Sequence, residues 1–108
     1  GSIEIALPET MPTAFVCNSD LTASRLYDLL VEKGYRIPED ISIAAYDNYL
    51  FGHPFARQLT TYNVDMAQIA ASAVKLLNGK IRGIEKRYGT RYIDSVIVER
   101  DSVKDINA

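Results

Sequence analysis

The sequence predicts an α/β fold, a parallel sheet with flanking helices. Three observations predict it. The run Ile41-Ser42-Ile43-Ala44-Ala45-Tyr46-Asp47-Asn48 is short, apolar and without clean alternation, which reads as a strand covered on both faces. A second such run, Thr13-Ala14-Phe15-Val16-Cys17, precedes it. Between them lies a stretch of helical length and periodicity, so the strands are parallel and the unit is βαβ.

The elements follow in order. Ile3 to Leu7 is a short apolar piece stopped by Pro8 and Pro12, and Gly1-Ser2 reads as a cloning scar. After the Thr13–Cys17 strand, Asn18-Ser19-Asp20 offers N-cap side chains. Leu21, Leu26, Tyr27, Leu29, Leu30 and Val31 then form a helical stripe. Gly34 suits the position just past a helix end, and Pro38 prevents continuation. The strand ending at Asp47 follows. Because the strands are parallel, their carboxyl ends share one edge, so Ser19, Asp20, Asp47 and Asn48 converge there by topology. In open α/β sheets that edge is where ligands bind.

The loop from Tyr49 to Phe55 carries more large apolar residues than a solvated turn needs, which points to packing against another surface. Leu59-Thr60-Thr61-Tyr62-Asn63-Val64 is a third strand. Asp65 caps the next helix, with Gln68 completing a capping-box pattern. Met66, Ile69, Ala70, Ala73, Val74 and Leu77 form its buried stripe, and Gly79 ends it. Lys80 to Arg91 is a basic loop. Arg91 to Glu99 is a last strand, through Tyr92, Val96, Ile97 and Val98, and the tail from Asp101 frays.

A chain of 108 residues can form one small domain with a core of limited size. A net charge of −2 gives no global attraction to nucleic acid or acidic membranes. The single cysteine, Cys17, excludes an internal disulfide and a Cys-rich zinc site, and reads as a buried, inert thiol. No apolar run is long enough to span a bilayer, and no signal-peptide pattern opens the chain, so a cytoplasmic protein is expected.

Signals for enzyme chemistry are poor. His53 is the only histidine and has no ligand-spaced neighbour. Ser19 and Ser24 lack a nucleophile elbow, and no glycine-rich phosphate loop follows the early strands. Lys80, Arg82, Lys86, Arg87 and Arg91 read as a solvated loop. No cofactor, metal or catalytic residue is expected. Asp47 carries the sharper signal. Its carboxylate could cap a turn with Asn48 or accept paired hydrogen bonds from a polar ligand.

Five segments in fixed order carry a resemblance. They are Pro12-Thr13-Ala14 with Ser19-Asp20, then Gly34-Tyr35-Arg36-Ile37-Pro38-Glu39-Asp40-Ile41-Ser42-Ile43, then Ala45-Tyr46-Asp47-Asn48, then Leu59-Thr60-Thr61, and finally Val98-Glu99-Arg100-Asp101-Ser102. From Pro12 to about Val103 the chain resembles the effector-binding core of the LacI/GalR repressors, related in fold to periplasmic sugar-binding proteins. The resemblance implies an incomplete half of a periplasmic-binding-protein-like (type I) fold. It places Asp47 on the aspartate that binds effector hydroxyls or ring nitrogens. Ser19 and Asp20 fall beside it, Asp20 reading first as a helix cap. Asn48 and Asn63 are further candidates, because Ser19 and Val64 depart from the usual asparagine and glutamine of sugar pockets.

Family dimers imply an interface through the first helix and the loop after Asp47: Tyr49, Leu50, Phe51, Phe55, Ala23, Tyr27 and Leu30. The resemblance divides the chain into a scar and partial element (1–11), a βαβ of the C-terminal subdomain (12–59), a crossover strand and helix of the N-terminal subdomain (60–90), and a returning strand and tail (91–108). It implies a truncated or proteolysed piece, with DNA bound only through a headpiece absent from this chain. A lone piece would leave sheet edges and helix faces exposed, to be covered by strand exchange or dimerisation. The expected function is effector sensing in a transcriptional repressor, with a sugar or sugar derivative as effector. A periplasmic solute receptor and a small flavodoxin-like enzyme are the alternatives.

Overall fold

The computed structural model describes residues 4–84 and 89–107. The elements are β1 (Ala14–Val16), α1 (Asp20–Glu32), β2 (Ser42–Asp47), a 3-10 turn (Pro54–Arg57), β3 (Thr60–Asn63), α2 (Met66–Ile81) and β4 (Ile97–Val98). The chain forms two compact units, one of Gly1–Asn63 with Val96–Ala108 and one of Val64–Ser95. It leaves the first unit after Asn63 and returns at Val96. The reason is that β3 and β4 both join the sheet of the first unit.

That sheet has the order β1-β2-β3-β4. β1, β2 and β3 run parallel, with Phe15 opposite Ile43 and Asp47 opposite Asn63. β4 pairs antiparallel with β3, so the sheet is mixed. β4 spans only Ile97–Val98; the expected strand from Arg91 is not formed along most of its length.

α1 forms where its signals place it. Ser19 caps the amino end, its Oγ accepting from the Thr22 N–H at 3.1 Å. At the other end Gly34 adopts φ 94°, and the Tyr35 N–H reaches the Leu30 carbonyl while the Gly34 N–H reaches that of Val31. These paired bonds satisfy carbonyls the helix itself cannot. Ala23, Leu26 and Leu30 pack with Cys17, Ile41, Ile43, Ala45, Phe55 and Leu59 to form the core. Each fully buried large side chain among these contributes roughly 1.5–3 kcal/mol.

Only one face of β2 is covered, contrary to the expectation of two. Partners across a sheet share a face. Phe15, Ile43 and Ala45 therefore lie on the face that α1 covers, whereas Val16, Tyr46 and Tyr62 lie on the other. Val16 is 86% exposed and Tyr46 48%. Tyr46 and Tyr62 stack at 5.5 Å, shielding each other. Among the described residues no second helix of this unit covers that face.

The tail also departs from expectation. Ser102 is 1% exposed and stitched into the sheet. Its carbonyl accepts from Ile43 N–H at 2.9 Å, and the Lys104 N–H donates to Ser42 Oγ at 2.9 Å. The polar composition that suggested fraying is that of a segment completing β2's hydrogen bonding.

In the second unit, the Asp65 carboxylate accepts from Gln68 N–H at 3.0 Å and caps α2. The helix runs past Gly79 to Ile81. Its expected buried stripe is exposed. Met66, Ile69, Val74 and Leu77 all face solvent, as do Ala70 and Ala73. A helical stripe is buried only where another element is present to receive it, and no described residue of this unit does so.

Candidate functional site

The parallel strands bring most of the candidate residues to one edge. β2 ends at Asp47 and β3 at Asn63, which are register partners. Asp47 and Asn48 have positive φ, 111° and 53°. Asp and Asn tolerate such angles better than other side-chain-bearing residues, at a cost of about 1–3 kcal/mol each that the surroundings must support.

The support is a hydrogen-bonded network. Asn48 Nδ2 donates to Asn63 Oδ1 at 2.9 Å. Its Oδ1 accepts from Arg100 Nη2 at 3.1 Å, and its backbone N–H donates to Thr61 Oγ1 at 3.3 Å. Thr61 Oγ1 donates to Asp20 Oδ1 at 2.5 Å. Arg100 is anchored in turn through Nη1 to the Leu59 carbonyl at 2.8 Å and through its backbone N–H to Thr60 Oγ1 at 2.9 Å.

Within this network Asp47 keeps free capacity. Its Oδ1 accepts from the Tyr49 N–H at 2.9 Å, so the turn-capping role is real. Its Oδ2 takes no hydrogen bond among the described residues. Asp47 is half-buried.

The other candidates divide. Asp20 is not the helix cap: Ser19 takes that place, and Asp20 is the first residue inside α1. With 2% exposure, its carboxyl is pushed above the ordinary carboxylate range by burial, an effect opposed by the Thr61 hydroxyl and reinforced by the Asp47 charge. It is an internal brace. Among the described residues Ser19 Oγ is engaged with Thr22, accepting from its N–H and donating to its hydroxyl at 3.0 Å. Asn48 and Asn63 belong to the brace, each holding the other.

The expected interface residues differ in their burial. Ala23, Leu30 and Phe55 are fully buried in the core of this unit. The apolar character that suggested an interface is spent inside, with Tyr27 stacked on Phe55 at 4.1 Å. Tyr49 and Phe51 are exposed and pack edge to face at 4.8 Å; Leu50 is half-buried beside them in the same loop.

Thr61 and Arg100 are site residues that sequence reasoning does not find. Arg100 stands in the terminal motif, but nothing local in the sequence says that it reaches back to the β2 edge. Cys17 is buried, as expected, and burial raises its thiol pKa, with the Asp20 charge adding to the shift. His53 turns Nε2 to Asp28 at 3.0 Å and accepts the Phe55 N–H on Nδ1, so it is a loop brace. In the basic stretch, Arg82 and Arg91 join Lys75 around an open cavity of about 560 Å³ in the second unit, while Lys86 and Arg87 lie outside the described residues. No group of three His, Cys, Asp or Glu side chains suited to a metal occurs among the described residues. No described helix is long and apolar enough to cross a membrane.

The mixed sheet with polar strand ends is an α/β architecture, and the comparisons show its family. The family of the periplasmic binding protein-like domain matches residues 2–103. The HTH-type transcriptional repressor PurR of Mannheimia succiniciproducens is 37% identical over 98 residues, 91% of this chain and 29% of that protein. PurR of Vibrio cholerae serotype O1 (strain M66-2) is 35% identical over 103 residues, 95% of this chain and 31% of that protein. Among solved structures, a candidate transcriptional regulator, LacI, from Bacillus cereus subsp. cytotoxis NVH 391-98 superposes with a TM-score of 0.81 at 26% identity, over 90% of this chain and 34% of that one. The Lac repressor dimer bound to operator and the anti-inducer ONPF gives 0.76 at 25% identity, over 85% and 32%. The chain belongs to the periplasmic binding protein-like domain family, in the form found in LacI-type regulators. It spans about a third of the length of these relatives.

Proposed function

We propose that this chain is part of the effector-sensing domain of a cytoplasmic LacI-type transcriptional repressor, and that Asp47 contacts the effector. The observation that carries the reading is Asp47 itself. It sits at the carboxyl end of a parallel strand, with a positive φ held by a dedicated network and one carboxylate oxygen uncommitted. A ligand with adjacent hydroxyls, or with ring N–H groups, satisfies that oxygen. A sugar or sugar derivative is the favoured effector, and Asn48 and Asn63 shape its surroundings rather than provide its first contacts. A sensing rather than a catalytic role is supported by the repressor relatives.

The parent protein dimerises, with Tyr49, Leu50, Phe51 and Tyr27 on the loop and helix forming this chain's share of the interface. It binds operator DNA through a headpiece outside this chain. Effector binding shifts the balance between states of different DNA affinity. The test is an operator gel-shift with the intact parent against a panel of monosaccharides, disaccharides and nucleobases. At least one compound should change operator affinity, and Asp47→Ala should abolish that response while leaving basal operator binding in place. A response retained by Asp47→Ala would remove Asp47 from the site.

A further inference from the structure

The two points at which the chain passes between its compact units are the bonds after Asn63 and after Ser95. The residues flanking them are joined, the Asn63 N–H donating to the Val96 carbonyl at 2.8 Å. Asp47 is already the register partner of Asn63, and one side chain adds a second connection between this junction and the Asp47 turn. Asn48 Nδ2 donates to Asn63 Oδ1, and Asn48 Oδ1 is gripped by Arg100, two residues beyond β4. Asn48 follows Asp47 directly and shares its positive-φ turn, so neither residue can change its backbone angles without disturbing the other.

We propose that Asn48 is a positioning residue that holds the turn carrying Asp47 and couples it to both chain crossings, with Arg100 as its anchor. Both functions of the amide are needed. The carbonyl oxygen fixes the turn to the returning strand, and the NH2 group fixes it to the outgoing one. Asp47 and the Asn63–Val96 junction are thereby parts of one hydrogen-bonded unit: a force on the carboxylate is felt at the crossings. This rests on the effector reading only for what pulls on Asp47. The coupling itself is a property of the ligand-free chain.

The test is hydrogen exchange on the chain without ligand, followed amide by amide. Asn48→Gly keeps the left-handed backbone accessible and removes the amide. The Asn63 N–H should then exchange roughly three- to tenfold faster, as expected for losing one supporting hydrogen bond, while core amides of Cys17 and Ile43 hold their wild-type rates. Asn63→Asp retains the acceptor and should stay near wild type. Asp47→Gly should also quicken exchange at Asn63. Combined with Asn48→Gly it should add less than its effect alone, because part of the path runs through Asn48 and the rest through the β2–β3 pairing. If Asn48→Gly unfolds the chain, the Cys17 and Ile43 amides will report it. Asn48→Asp, which tolerates the same φ and keeps the Arg100 bond, then supplies the same comparison. Unchanged Asn63 exchange with an intact core, or strictly additive effects of the two glycine variants, would overturn the proposal. Failure of Asp47 to bind an effector would leave this result standing, so the two readings fail separately.

Discussion

Ser102→Ala should destabilise the first unit far more than a surface serine would. The hydroxyl is buried and does two things, donating to the Ile43 carbonyl at 2.5 Å and accepting the Thr60 N–H at 2.8 Å. Those two backbone groups belong to different strands, so one side chain closes the gap where β2 has begun and β3 has not. Alanine fills nearly the same volume but satisfies neither group. Leaving a buried polar group unpaired costs about 1–3 kcal/mol, so two such groups, relaxing in part, should cost about 2–4 kcal/mol in total. That is a large share of the roughly 5–15 kcal/mol by which a domain is usually stable. Urea unfolding followed by far-UV circular dichroism reads it directly. With a slope of about 1–3 kcal/mol/M, the midpoint should fall by about 1 M or more at an unchanged slope. Lys104→Ala, which changes an exposed side chain and keeps the backbone bond to Ser42, is the control. A midpoint for Ser102→Ala within about 0.2 M of the control would refute the reasoning.

Further expectations follow from the same geometry. Leu30→Ala should cost about 2–5 kcal/mol, as for other emptied core sites, whereas Leu77→Ala, 61% exposed, should change stability by less than about 0.5 kcal/mol in the isolated chain. Equal losses by urea unfolding would mean that α2's stripe is packed after all. Asp20 has a folded pKa above its ordinary value of 3.8, so the folded state holds that proton more tightly. Its contribution to stability is therefore complete below pH 3.8 and is lost as pH rises through the raised value. Asp20→Asn should remove that downward slope from the stability–pH curve; an unaltered slope would assign it to another group. Cys17 should react with iodoacetamide at pH 8 only after unfolding, because burial both hides and protonates the thiol. Labelling at the native-state rate of an exposed thiol would contradict its placement.

What the sequence revealed and concealed divides by distance along the chain. The Ser19 cap, the Gly34 turn and the Asp65–Gln68 cap are contacts within a few residues, and each was legible from residue type and spacing. So was the convergence of Asp47 and Asn48 with Asp20, because parallel topology alone dictates it. Ser102 escaped because its partners lie 42 and 59 residues away, and its neighbours look like any polar tail. Arg100 reaches back 52 residues to Asn48. Apolar pattern shows that a face wants cover but not what covers it. Ala23, Leu30 and Phe55 satisfy that demand inside their own unit, whereas the α2 stripe and the Val16–Tyr46 face do not. The last two fit a chain that spans about a third of its relatives' length.

Whether Asp47 holds an effector is tested most directly by calorimetric titration of the intact parent. The titrant is whichever compound alters operator binding, and the proteins are wild type and Asp47→Ala. Hydrogen bonds to a charged group are worth about 1.5–3 kcal/mol, so Kd should rise by about ten- to 150-fold in the variant. A Kd within about twofold of wild type, in a variant that is folded and still binds operator, would contradict an effector contact at Asp47.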